Sequence, residues 1–234
     1  MSNLIEKALY GVSLPAIKTY TNAMLKMDVH QKSPFPAGAK IIAPNHPSVS
    51  DPFIMASILG HRSYILITNT AFQVPIFGDY LRRLGHIPVI PGRGQEAIDA
   101  ALEHLKTGHT IMIFPEGANS PLNGGYVKER TGVARLAIAS GAPVFPVGIH
   151  LQRDRIHSLS SKISGTNEIS PLYLRGPYNI TIGKPMRFTG DVEDHNYVKD
   201  VAHQVMLKIM RLAYESEQRW YRTNKNLPGA FETI

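Results

Sequence analysis

Lys40-Ile41-Ile42-Ala43-Pro44-Asn45-His46-Pro47-Ser48-Val49-Ser50-Asp51-Pro52-Phe53 is the stretch on which the fold turns. Lys40–Ala43 is a short apolar run that reads as a buried strand. Two prolines then break the pattern, and Asp51-Pro52 reads as the cap and first residue of a helix over Pro52–Leu59. Working outward, the same alternation recurs. Strands are predicted at Tyr64–Thr68, Ile87–Ile90, Thr110–Phe114, Val144–Ile149 and Asn179–Ile182. Helices are predicted at Ile76–Leu84, Gln95–Lys106, Gly132–Ala139 and about Asp194 to Arg219. The pattern predicts an α/β fold: a single mixed, largely parallel sheet flanked by helices.

Ahead of the first strand, Leu4, Ile5, Ala8, Leu9 and Val12, then Ile17, Tyr20, Met24 and Leu25, mark one apolar helical face. Gly11 and Pro15 interrupt it, which predicts an N-terminal helical pair or one kinked helix. Ser33 to Gly38 reads as a linker. The expected organisation is therefore a helical segment of residues 1–36, either packed on the domain or in contact with a membrane, and an α/β domain of residues 37–234. Ser158 to Gly176 is polar and reads as an irregular surface excursion.

The 234 residues include no cysteine, which excludes disulfides, thiol catalysis and cysteine-ligated zinc. A formal net charge of +7 calls for an anionic partner. Glu6 and Asp28 interrupt the apolar stretch of a signal peptide, and no run approaches the roughly 18 apolar residues of a membrane span. Membrane contact is expected to be peripheral, on the inner face, with a cytoplasmic location.

A histidine at a strand exit with an aspartate five residues on has chemical meaning. On a continuous helix the two would point about 140° apart, but Pro47 and Pro52 favour a turn that brings them together. A carboxylate on one ring nitrogen fixes the tautomer and frees the other nitrogen as a base. Asp51 reads equally well as a plain helix cap. Further on, Thr110–Phe114 is broken by Pro115-Glu116-Gly117, setting Glu116 at a strand's exit, where α/β proteins gather ligands. Gly117 permits close backbone approach, and neighbouring amides suit an anion.

Taken together, these segments resemble the PlsC-like glycerolipid acyltransferases, the family of lysophosphatidic acid acyltransferases. Its first block, Asn-His-x4-Asp, matches Asn45, His46 and Asp51; its third matches Phe114, Pro115, Glu116 and Gly117. The second resembles Phe77-Gly78 through Leu84-Gly85 to Ile87-Pro88-Val89, and the fourth Ala142-Pro143-Val144-Phe145-Pro146-Val147. Order and spacing agree over residues 40 to 150. The resemblance implies that His46 is the base and Asp51 its partner. The acyl group moves from an acyl thioester, acyl-CoA or acyl-ACP as co-substrate with no bound cofactor, to a lysolipid hydroxyl, without an acyl-enzyme. Asn45, Glu116 and Gly117 would then belong to the substrate site, Glu116 near the acceptor's polar head.

Two departures concern the acceptor. Ile90-Pro91 stands where the family has Asp-Arg, and Ala118-Asn119-Ser120 where it has Thr-Arg-Ser. The family aims those arginines at a phosphate; Arg93, with Lys128 and Arg130, are the replacements expected here. Other signals are missing. There is no Gly-x-Ser-x-Gly, no His-Glu-x-x-His, no dinucleotide or phosphate-loop glycine pattern and no nucleic-acid recognition pattern. The alternatives are a thioesterase on the same His46–Asp51 site and a non-catalytic lipid-binding module.

Overall fold

A computed structural model describes residues 2–163 and 166–224. The chain opens with helix α1 (Ser2–Met24) and passes directly into strand β1 (Leu25–Gln31). Then come β2 (Lys40–Pro44), α2 (Asp51–Leu59), β3 (Ser63–Thr68), the single turn α3 (Asn69–Phe72), α4 (Phe77–Arg83), β4 (Ile87–Val89), α5 (Gly94–Lys106) and β5 (Thr110–Met112). The second half contains α6 (Gly132–Ser140), β6 (Val144–Leu151), β7 (Ile156–Ile163), β8 (Thr166–Tyr173), β9 (Gly176–Ile182) and α7 (His195–Thr223). Residues 225–234, within the expected domain, lie outside the described residues.

Seven strands form one sheet in the order β1-β9-β6-β2-β5-β3-β4. The five from β6 to β4 run parallel, whereas β9 is antiparallel to β6 and carries β1 parallel to itself at the edge. The sheet is thus mixed and largely parallel, as expected. All five residues of β2 are buried, because helices cover both faces of a parallel sheet. The period of two divides them. Ile41 and Ala43 join Ile111, Val144 and the inner faces of α5, α6 and α7; Ile42 joins Met112, Phe145, Ile182 and α2.

Helix α7 lays Val198, Val201, Val205, Met206 and Ile209 against the first of these cores. Asp194 caps it, accepting from the Asn196 and Tyr197 amides at 3.1 and 3.0 Å. Its closest approach to the sheet depends on Gly148: a Cβ there would sit 1.9 Å from the Ala213 nitrogen.

Three segments differ from expectation. The N-terminal pair is one continuous helix through Gly11 and Pro15; proline removes only one helical bond, and packing of α1 on α2 and α4 offsets it. Within the segment 1–36, helix ends at Met24. Leu25, Met27 and Val29 alternate with Lys26, Asp28 and His30, a strand signal hidden by the helical spacing before it, and β1 pairs with β9. Finally, the excursion from Ser158 is a regular hairpin, with Ile156 opposite Tyr173 and Ile163 opposite Thr166. Among the described residues no helix is long and apolar enough to cross a membrane.

Candidate active site

His46 leaves the carboxyl end of β2, and Glu116 follows β5, its neighbour in the sheet. Strand order reverses here, since the chain runs from β2 to β3 before β5 inserts between them. Crevices at such switch points are where open α/β sheets bind ligands.

The turn after Pro44 brings His46 and Asp51 together, with Nδ1 3.1 Å from the Asp51 Oδ2. Asp51 is the first residue of α2, not its cap; the cap is Ser50. Its fully buried carboxylate turns back, accepting from the Ser48 amide at 2.7 Å and, on Oδ1, from the Tyr178 hydroxyl at 2.5 Å. Burial and the adjacent Asp51 carboxylate raise the Tyr178 hydroxyl well above its ordinary range, so it stays a donor. A carboxylate in its ionised form only accepts, so in this contact Nδ1 is the donor and Nε2 is the ring nitrogen turned away from Asp51. The ring stacks on Phe114 with centroids 4.1 Å apart, and its side chain is 16% exposed. The imidazole is therefore fixed on one edge and one face.

The backbone of His46 is held by the second motif. Its amide donates to Glu116 Oε1 at 3.0 Å, and its carbonyl accepts from the Ser120 amide at 2.8 Å. Glu116 is fully buried; Ser120 Oγ donates to the same oxygen at 2.7 Å and the Val127 amide to Oε2 at 2.8 Å. All its hydrogen bonds among the described residues are internal. Asn45 likewise turns inward: its amide exchanges bonds of 2.9 and 2.7 Å with the carbonyl and amide of Ile149, prolonging the β2–β6 pairing by one side chain.

Gly117 has φ of 65°, and a Cβ there would fall 2.9 Å from Cγ of Arg130. The aliphatic stem of Arg130 thus lies over the glycine, while its amide donates to the Pro115 carbonyl at 2.7 Å. Arg130 is exposed beside the motif. Arg93 is exposed at the start of α5, its guanidinium spanning both Glu96 oxygens at 2.6 Å. Sequence and structure thus bring Asn45, His46, Asp51, Glu116, Gly117 and Arg130 into one site. Arg93 has no contact with that group among the described residues.

Sequence reasoning missed the hairpin's part. The Pro171 carbonyl accepts from the Val49 amide at 2.9 Å, and the Tyr173 amide donates to Ser48 Oγ at 2.9 Å. It missed Tyr178 as well, whose strand was expected to start at Asn179. Beside the turn, a cavity of about 410 Å³ is lined by Asn45, Pro47, Ser120, Tyr126, Ile149 and Arg153, among others. His150 on its wall is pushed down to about 4 by burial and by Arg153.

An oriented imidazole at this strand exit, backed by a buried glutamate from the next, fits the class that the four blocks implied. The chain belongs to the Acyltransferase family, whose model matches residues 26–150, more than half of its length, and it is an acyltransferase. Among solved structures it is similar to the crystal structure of the 1-acyl-sn-glycerophosphate (LPA) acyltransferase, PlsC, from Thermotoga maritima. The two share 21% identity and a TM-score of 0.56, over 88% of this chain and 80% of that one.

Proposed function

We propose that the chain transfers a fatty acyl group from acyl-CoA or acyl-ACP to the hydroxyl of a lysolipid or glycerol-phosphate-type acceptor. His46 is the general base and Asp51 its partner. The observation that carries this reading is the 3.1 Å contact between Nδ1 and the fully buried Asp51 carboxylate. Nε2 takes the acceptor's proton as the oxygen bonds to the thioester carbonyl carbon. The tetrahedral adduct then expels the thiolate, which receives that proton from Nε2. No acyl-enzyme forms. General-base assistance of this kind contributes about 10²- to 10⁴-fold.

Asn45, Glu116 and Gly117 shape the substrate site by holding the turn and the glycine-lined wall. Arg130, exposed beside Gly117, is the cation best situated for an acceptor phosphate; Arg93 would have to exchange Glu96 for it. The protein works in the cytoplasm, peripheral on an anionic membrane, with residues 1–36 in contact and residues 37–234 carrying out the transfer. Lys7 and Lys18 on the exposed side of α1 support that orientation.

The test is thiol release and product mass with an acyl thioester and a panel of lysolipids with and without phosphate. We expect acceptor-dependent release, lost by at least about 100-fold in His46→Ala. Equal release with and without acceptor would instead favour a thioesterase. Near-normal rates in the variant would defeat the base assignment, and vesicle binding with no turnover would make this a binding module.

A further inference from the structure

Ile76 has φ of 65° and ψ of −50°, and among the described residues it is the one non-glycine residue with positive φ. A β-branched side chain in that region is strained, and such strain persists only where the surroundings impose it. Here they do. The Phe77 amide closes onto the Pro75 carbonyl at 2.7 Å and the Gly78 amide onto the Val74 carbonyl at 2.7 Å. Gly78 lies so close to α3 that a Cβ would fall 2.0 Å from the Phe72 carbonyl oxygen, which Arg82 Nη2 also holds at 2.7 Å.

The side chain thus forced outward is 86% exposed, the most exposed large apolar residue among those described. Neither packing nor backbone preference accounts for an isoleucine there. Phe77 beside it is 36% exposed, and its ring meets Phe53, two residues past Asp51, at 5.9 Å. In the first turn of α4 the exposed Asp79 is paired with Arg82 at 2.8 Å; Arg83 ends the helix, and the exposed side of α1 from Lys7 onward carries Lys7, Lys18 and the 74% exposed Val12 with no acidic residue. Helix α1 packs on both α2 and α4.

We infer that the turn at residues 74–77 is a preformed apolar knuckle that inserts into an anionic lipid surface, Ile76 leading and Phe77 following, with Lys7, Lys18 and Arg83 at the headgroups. This deepens the proposed function by naming the residues of this chain that meet the membrane. It places them on the element whose aromatic ring touches the helix that begins with Asp51. A bilayer is the occupant favoured by an apolar tip on a face where Asp79 is already paired with Arg82 and where Lys7, Lys18 and Arg83 have no salt-bridge partner among the described residues; a protein groove would have to supply acidic complements.

Vesicles of phosphatidylcholine with phosphatidylglycerol test the inference by co-sedimentation, without any turnover. Ile76→Gly removes the side chain and relieves the backbone, so its melting temperature should equal or exceed that of the parent while vesicle binding falls about tenfold. Ile76→Trp should keep binding and shift its added emission to the blue on vesicles. His46→Ala should bind like the parent, which separates failure of this inference from failure of the catalytic reading. Unchanged binding by Ile76→Gly would overturn it, as would an Ile76→Trp signal blind to vesicles.

Discussion

At the scale of single residues, three donors on the Asp51 carboxylate and three on Glu116 decide what substitution does. Asp51→Asn places an amide where Nδ1–H must be accepted, and kcat should fall by about 10²- to 10⁴-fold with little change in fold. Tyr178→Phe strips one donor from a buried carboxylate, which costs about 1–3 kcal/mol. Thermal melting should show that loss, with a smaller fall in kcat than for Asp51→Asn. Glu116→Gln separates two roles. If Glu116 positions the His46 backbone, kcat falls and KM for the lysolipid holds steady. If it meets the acceptor's head, KM rises instead.

At the scale of elements, the Gly117 turn is the most constrained. Gly117→Ala adds about 1–2 kcal/mol of left-handed backbone strain and a contact with the Arg130 stem, so the melting temperature should drop. Arg130→Ala in the same chain should recover the contact part but not the strain, a coupling readable in a double-mutant cycle. The central strands β2, β5 and β6 were legible because burial on both faces demands continuous apolar runs. Helix α7 was legible because its apolar stripe runs from Val198 to Ala213, about four turns. The hairpin of β7 and β8 was not. Its strands are joined by backbone pairing, and Leu159 and Ile169 lie exposed on it, so side-chain hydrophobicity carries no signal there. For the candidate site, residue types at fixed spacing singled out His46, Asp51 and Glu116, which the fold sets beside one another. Which way Asn45 and Glu116 face was hidden, since an inward amide and a ligand-binding amide have the same letter. Tyr178 was hidden for another reason: 127 residues separate it from Asp51, and no local pattern links them.

At the scale of the whole molecule, burial holds His86 and His150 neutral, each brought from 6.5 to about 4, with Arg62 and Arg153 respectively adding to the effect. Between those values the unfolded chain binds more protons than the folded one. Stability is therefore fully present above the unfolded value and is lost as pH falls from 6.5 toward 4. Urea midpoints across that range should decline on acidification and stay level above it, and His150→Gln should flatten part of the slope. The sheet order has a further consequence, for synthesis. The turn bearing His46 is complete only when Ile149, the hairpin and Tyr178 have each taken their places around it. A nascent chain still missing β9 lacks the Tyr178 donor that helps to hold the Asp51 carboxylate beside His46. Under the proposed transfer, a thiol-reactive reporter should stay silent on ribosomes stalled before β9 and respond once that strand has cleared the exit tunnel.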